Sequence, residues 1–150
     1  MHPMLSKNVD VREVGAPVAA ASDTDDNSDR IDTQDCEGVM FVCPIEDSAA
    51  TGVATLTVEQ NAADSDTGMA ALAGAVATKT CVVNDDLNGT LLVVDVYRPR
   101  ERYVQAVRTS LTANIAFGTV TAYLYGRRKL PPPQHSTVSA ISSVAGPAES

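Results

Sequence analysis

The sequence predicts an all-β protein, an antiparallel β-sandwich or jelly roll of about seven or eight strands with extended terminal arms. Short apolar segments with a period of two recur along the chain, turn-forming residues separate them, and no long segment has the period of a helix. Aromatic residues make up only 4% of the chain, and none of them is Trp. A core of small and β-branched side chains suits thin packed sheets better than a deep ligand pocket.

Composition divides the 150 residues into three parts. Residues 1–29 are expected to be an N-terminal arm with one possible edge strand, followed by an acidic loop over 22–29 where Ser, Asp, Thr and Asn side chains compete with backbone pairing. Residues 30–130 form the predicted β-sandwich domain. Residues 131–150 begin with three prolines and are rich in Ser and Ala, which predicts an extended C-terminal tail that needs a partner to become ordered.

Strands within the sandwich are predicted from their apolar pattern. Residues 39–45 are apolar on both faces and predict a central strand buried on both sides, whereas residues 53–60 alternate and predict a half-buried strand. The Ala-rich residues 69–77 are compatible with a short helix or with a strand interrupted by Gly74. Further strands are expected over residues 79–83, 90–97, 102–109 and 117–125, with a hairpin turn at Asn88 and Gly89.

Charge restricts the kind of partner. The formal net charge of −8 argues against nucleic acid, because that contact needs a surplus of Lys and Arg. Residues 10–66 are acidic and most arginines follow residue 97, which indicates either docking through complementary potentials or solvated strand ends.

Neither a signal peptide nor a run of about 20 apolar residues is recognisable, so no membrane partner is expected. Three cysteines without Cys-x-x-Cys spacing favour a reducing compartment.

Motifs for chemistry are weak. Residues 23–29 carry acidic and amide side chains at alternate positions, as in a calcium loop, but Ser28 and Gln34 replace its usual Gly and bidentate Glu, so a solvated acidic loop is favoured. The two histidines, His2 and His135, lie near the chain ends, and the cysteines are expected to be buried free thiols. No metal, no cofactor and no catalytic residue is predicted, and the protein is not expected to be an enzyme.

Two clusters are candidates for contact with another protein. Alternation would place the guanidinium groups of Arg98, Arg100 and Arg102 on one side of an extended segment that ends at Tyr103, where they could bind carboxylates of a neighbour. Internal pairing with Asp95 or a solvated bend is the alternative. Two tyrosines also lie on the nominally outer face of the last strand, which indicates that a partner or a second sheet covers it. The predicted interface residues are Arg98, Arg100, Arg102, Tyr103, Tyr123 and Tyr125.

Several segments resemble a group of small virion proteins of tailed bacteriophages. They are DCEGVMFV at 35–42, Gln60 with the polar ADSDTG at 63–68, LAGA at 72–75, VDVYRPRERYV at 94–104 and the closing alternating strand. The resemblance extends from about residue 7 to about residue 129. The chain departs from that group at Met69, where an aromatic residue is common, and in its longer tail after Pro131.

The resemblance implies a jelly-roll capsid decoration or cement protein that binds and stabilises the shell of the major capsid protein. It implies a homo-oligomer, a dimer or trimer, on the outer capsid surface of a virion assembled in the host cytoplasm. The terminal arms would then fold onto neighbouring subunits. The alternatives are a head-to-tail connector or tail component of the virion, and a carbohydrate-binding or receptor-binding β-sandwich module, for which the absence of Trp leaves few aromatic platforms.

Overall fold

A computed structural model describes residues 2–146 of the chain. A single 3-10 turn, Leu5–Lys7, precedes the strands. Eleven strands follow in the described residues: β1 (Asp10–Gly15), β2 (Val18–Ala21), β3 (Thr24–Asn27), β4 (Ile31–Asp32), β5 (Gly38–Ser48), β6 (Val53–Asn61), β7 (Ala70–Thr80), β8 (Leu91–Tyr97), β9 (Tyr103–Leu111), β10 (Ile115–Phe117) and β11 (Val120–Tyr125).

The strands form two antiparallel sheets. The front sheet has the order β1-β11-β5-β10-β2, and β8 pairs with the other edge of β5. The back sheet has the order β3-β9-β6-β7, and β4 also pairs with β9. Both β11 and β10 lie on one edge of β5, and the change of partner falls at Pro44, which has no N–H to give to a ladder.

The eleven strands occupy eight positions, because three long strands are each broken once. Pro17 separates β1 from β2, Gly118 and Thr119 separate β10 from β11, and residues 28–30 separate β3 from β4. The positions are β1/β2, β10/β11, β5 and β8 in front, and β3/β4, β9, β6 and β7 behind. Every connection crosses between the sheets except the β6–β7 hairpin. This is the arrangement of a jelly roll, and the predicted fold class is confirmed.

The core lies between the two inner sheet faces. Alternate residues of β5 and β6 point inward and are fully buried, and the two phenylalanines, Phe41 and Phe117, are the largest of the buried side chains. Arg108 of β9 also points inward and is 3% exposed. Its Nη1 donates to the carbonyl oxygens of Ala16 (2.6 Å) and Gly118 (3.1 Å), at the two places where front-sheet strands are broken. A buried guanidinium therefore supplies hydrogen bonds that the interrupted strands lack.

Residues 10–27 belong to the sandwich, not to a loose N-terminal arm. β1 is an edge strand paired with β11, as the possible edge strand predicted, but β3 pairs with β9 over Thr24–Asn27, so the loop expected at 22–29 is wrong there. The polar side chains of β3 lie on a solvated edge and bond across it, since Thr109 Oγ1 donates to Asp25 Oδ1 over 2.7 Å. Polar composition alone therefore did not exclude a strand at this edge.

The Ala-rich segment is a strand. β7 runs from Ala70 to Thr80 and carries a bulge in which Gly74 has φ of +78°. The strand expected at 79–83 is wrong, because β7 ends at Thr80 and turns follow. The hairpin expected at Asn88 and Gly89 is also wrong, since β7 and β8 lie in different sheets and a crossover loop joins them.

The C-terminal tail forms no strand or helix over residues 130–146. It returns to the N-terminal side of the front sheet, where the backbone N of Glu13 in β1 donates to Thr137 Oγ1 over 3.1 Å. The hydroxyl groups of Ser143 and Ser6 are 2.5 Å apart. The tail therefore covers part of the β1 edge in the described residues, and its last four residues lie outside them.

Candidate functional site

One side of the sandwich presents two strand edges together. β8 pairs with β5 on one edge and β7 pairs with β6 on one edge, and within residues 2–146 no strand pairs with the other edge of either. The two strands are neighbours across the sandwich. Exposed strand edges are templates for pairing with another chain, and proteins usually protect them with charge, proline or a covering segment.

Exposed apolar side chains surround these two edges. We call this region the apolar side; its exposed fractions range from 45% for Val93 to 75% for Val82. On the outer face of the front sheet it continues into Val42 and Pro44, which are the register partners of Val93 and Leu91. Its members are Val76, Val82, Val83, Leu91, Val93 and Tyr97. Leu91, Val93 and Tyr97 lie on the outer face of the front sheet and Val76 on that of the back sheet, so exposed apolar side chains flank both edges. Exposed apolar groups around an unpaired strand edge are typical of a protein-binding surface.

The two predicted tyrosines lie next to this region on β11. Tyr123 is half-buried opposite Met40, and Leu5 of the N-terminal turn lines the same groove of about 450 Å³. Tyr125 Oη donates to Asp95 Oδ1 over 2.6 Å. Burial and the Asp95 carboxylate raise the pKa of Tyr125 above its ordinary value. The N-terminal turn of the chain thus lies beside Tyr123, on the face of β11 that was predicted to be covered by a partner or a second sheet.

The predicted arginines do not form one row of guanidinium groups. Residues 98–102 form a bend rather than an extended segment, and Arg98 has φ of +52°. The backbone N of Arg100 donates to Gln60 Oε1 over 3.1 Å, which holds the bend against β6. The expected arrangement of the three side chains is therefore wrong, because the backbone reverses direction between them.

Two of these arginines pair with carboxylates of the same chain. Arg102 binds Asp32 through two hydrogen bonds of 2.9 Å and 2.7 Å, which lower the pKa of Asp32, and its guanidinium lies over the ring of Tyr103. Arg98 Nη2 is 3.5 Å from Glu37 Oε1. Internal pairing, the alternative to docking, is thus present with Asp32 and Glu37, whereas Asp95 accepts from a tyrosine.

A second cleft opens at the end of the sandwich beside this bend. We call it the arginine cleft; it measures about 580 Å³ and is lined by Thr33, Gln34, Cys36, Glu37, Arg98, Pro99, Gly126, Arg127 and Arg128. Three loops meet there, and the backbone at Gly126 packs so closely on Glu37 that a Cβ on Gly126 would lie 2.6 Å from the Cβ of Glu37. Sequence reasoning missed this site, although the basic run GRRK at 126–129 is visible in the sequence.

A largely buried ion cluster lies behind the arginine cleft. Asp10 has a side chain that is 2% exposed, and it pairs with Arg12 and lies 4.0 Å from Arg127. The Nε of Arg12 and the Oδ1 of Asp10 are buried without a hydrogen-bond partner in the described residues. Two guanidinium groups therefore share one carboxylate in a place that water reaches poorly.

The other candidate groups show no converging chemistry. Within residues 2–146, no three His, Cys, Asp or Glu side chains approach closely enough to hold a metal ion. In the acidic segment, Asp23 Oδ1 accepts from the backbone N of Thr112 over 3.2 Å. Cys43 and Cys81 are buried free thiols, whereas Cys36 is half-buried. The described residues also contain no helix long and apolar enough to cross a bilayer.

Comparison with known proteins adds no relative: no family model matches the chain, and no curated protein matches it. Functional inference therefore depends on the surface of the jelly roll itself.

Proposed function

We propose that the protein is a bacteriophage capsid decoration protein that binds the shell of the major capsid protein through its apolar side. The observation that carries this proposal is the pair of uncovered edges at β7 and β8, flanked by exposed apolar side chains. The resemblance of the sequence to virion proteins supplies the kind of partner. The jelly-roll fold is compatible with this role, since capsid-associated proteins commonly use it.

The length of the β7 edge suits pairing with a partner protein. β7 has 11 residues. At about 3.4 Å per residue its edge is about 37 Å long, which is long enough to pair with a whole strand of a partner. Many such contacts on a shell act together, so each can be weak while the coat as a whole is stable.

The uneven protection of the two sides of the sandwich also supports an interface at β7 and β8. The tail lies along the β1 edge and donates or accepts hydrogen bonds there. The β7 edge instead exposes small alanine side chains, with Lys79 near its end as its one charged residue. Small side chains let a partner's backbone approach closely. Because the chain itself does not cover this edge, we expect a partner protein to cover it after assembly.

The test is sedimentation of the protein with empty shells of the major capsid protein of its phage. Wild type should co-sediment at many copies per shell, and Val93→Lys should reduce binding about tenfold or more, because a charge is then buried against an apolar partner. Leu130→Lys is the matched control: Leu130 is 45% exposed, as Val93 is, but lies directly before the C-terminal tail, beside His2 and Lys7.

Three outcomes would count against the proposal. Equal binding by Val93→Lys and wild type would remove the apolar side from the interface. Equal loss in Leu130→Lys would indicate a general effect of added charge. A small fixed number of copies at one vertex would instead identify a connector or tail component.

A further inference from the structure

The arginine cleft has an unbalanced charge. Arg98, Arg127 and Arg128 line it, and Glu37 is its one lining carboxylate. Behind it, Arg12 and Arg127 share Asp10. Four guanidinium groups in these two layers meet the carboxylates of Glu37 and Asp10, and the carboxylate of Asp35, between two lining residues, reduces the excess to one positive charge on a chain whose net charge is −8. The side chains of Arg12 and Arg127 are only 21% and 16% exposed, and charges that are largely removed from water are stabilised by a bound anion.

The cleft is also held in shape by the backbone around it. Arg98 adopts a left-handed conformation with φ of +52°, and its backbone N donates to the carbonyl oxygen of Glu37 over 2.7 Å. The backbone N of Arg128 donates to the carbonyl oxygen of Asp35 over 3.0 Å on the opposite wall. A non-glycine residue in this region is strained by about 1–3 kcal/mol, and such strain is concentrated at binding sites. The guanidinium groups are therefore carried on fixed walls and not on a free tail.

We propose that the arginine cleft binds a carboxylate-rich segment of another protein. Guanidinium groups bind carboxylates through two parallel hydrogen bonds, and the exposed side chains of Arg98 and Arg128 have the length and freedom to make them. A nucleic acid is disfavoured, because its continuous negative charge would meet the acidic remainder of the surface. A short acidic peptide needs contact only at the cleft. This site is separate from the apolar side, so the two proposals can fail independently.

The probe is a fluorescein-labelled hexaglutamate peptide, with hexaglutamine as the uncharged reference, followed by fluorescence anisotropy at low salt. Arg98→Gln with Arg128→Gln should weaken hexaglutamate binding at least tenfold. Arg100→Gln with Lys129→Gln is the matched control, because it removes the same two charges from neighbouring positions that do not line the cleft. We expect this control to weaken binding by no more than about threefold.

The outcomes separate a specific cleft from a general field. Equal losses in the two double variants, or equal binding of hexaglutamine, would overturn the proposal. Complete displacement of the peptide by low millimolar inorganic phosphate would assign the cleft to a free anion, which also overturns the commitment to a protein segment. Circular dichroism and thermal melting of each variant check the fold, and the single Arg128→Gln variant gives the same comparison against Lys129→Gln if the double variant is unstable.

Discussion

Replacing Gly38 by Ala would place a methyl group where the ring of Tyr125 lies. A Cβ on Gly38 would be 2.3 Å from Tyr125 Oη and 2.4 Å from Cζ, whereas ordinary contact begins near 3.4 Å. The ring must therefore move by about 1 Å, which breaks its 2.6 Å hydrogen bond to Asp95. Overpacking costs about 1–3 kcal/mol and the lost hydrogen bond about 1 kcal/mol, so we expect Gly38→Ala to destabilise the protein by about 2–4 kcal/mol.

A double-mutant cycle tests this reason for the destabilisation. In a Tyr125→Ala background the methyl group has room, and Gly38→Ala should be neutral or stabilise a strand by up to about 1 kcal/mol. In Tyr125→Phe the ring remains, so most of the penalty should persist. Urea unfolding measures each free energy, and the single variant should lower Tm by roughly 5–10 °C. The same penalty for Gly38→Ala with and without the Tyr125 ring would refute the reasoning.

Two further predictions concern buried groups. Burial raises the pKa of Cys43 to about 11, so at pH 8 iodoacetamide should modify this thiol far more slowly than the half-buried Cys36. The free energy of unfolding should also fall as the pH rises from about 9 toward 11, because the thiol ionises in the unfolded chain but stays neutral in the folded one. Mass spectrometry of the alkylated peptides checks the first part, and equal rates for the two thiols would contradict it. Arg108→Ala should lower the free energy of unfolding by about 3 kcal/mol, since it removes the guanidinium donor to the carbonyl oxygens of Ala16 and Gly118 and creates a cavity. Arg108→Met, which keeps the apolar stem, should lose less. An unchanged urea midpoint for Arg108→Ala would count against this role.

The strands with strong apolar patterns were predictable from the sequence. β6 and β9, which alternate, and β5 and β8, which are runs of apolar residues, all fall within a few residues of their expected positions, because either pattern fits a strand with at least one buried face. The pattern did not reveal how the strands are arranged in the sheets. β8 is apolar at every position except Asp95 yet is an edge strand, and half of its apolar side chains are exposed. Composition cannot distinguish burial in a core from burial by a partner.

The elements that sequence reasoning missed depend on tertiary contacts. β3 is polar throughout, and it is a strand because β9 offers it an unpaired edge. The arginine cleft could not be read from spacing, because its walls come from residues 33–37, 98–99 and 126–128, and a left-handed residue turns Arg98 away from its neighbours. The GRRK run indicated that this part of the surface is basic, but it did not indicate that the run would lie opposite Glu37.

The tail along β1 has a consequence for how copies of this chain can associate. A sandwich with two uncovered edges can add copies at both, and such head-to-tail contact grows into a fibre unless rotation closes a ring. Here the chain itself occupies part of the β1 edge, the β3 edge carries charged and polar side chains that disfavour pairing, and the adjacent β7 and β8 edges are uncovered. Two copies that met through β7 and β8 would each have used the edge available for pairing, and growth would stop at the pair. Removal of residues 131–150 would therefore convert a terminating contact into a propagating one, seen as concentration-dependent polymers in light scattering.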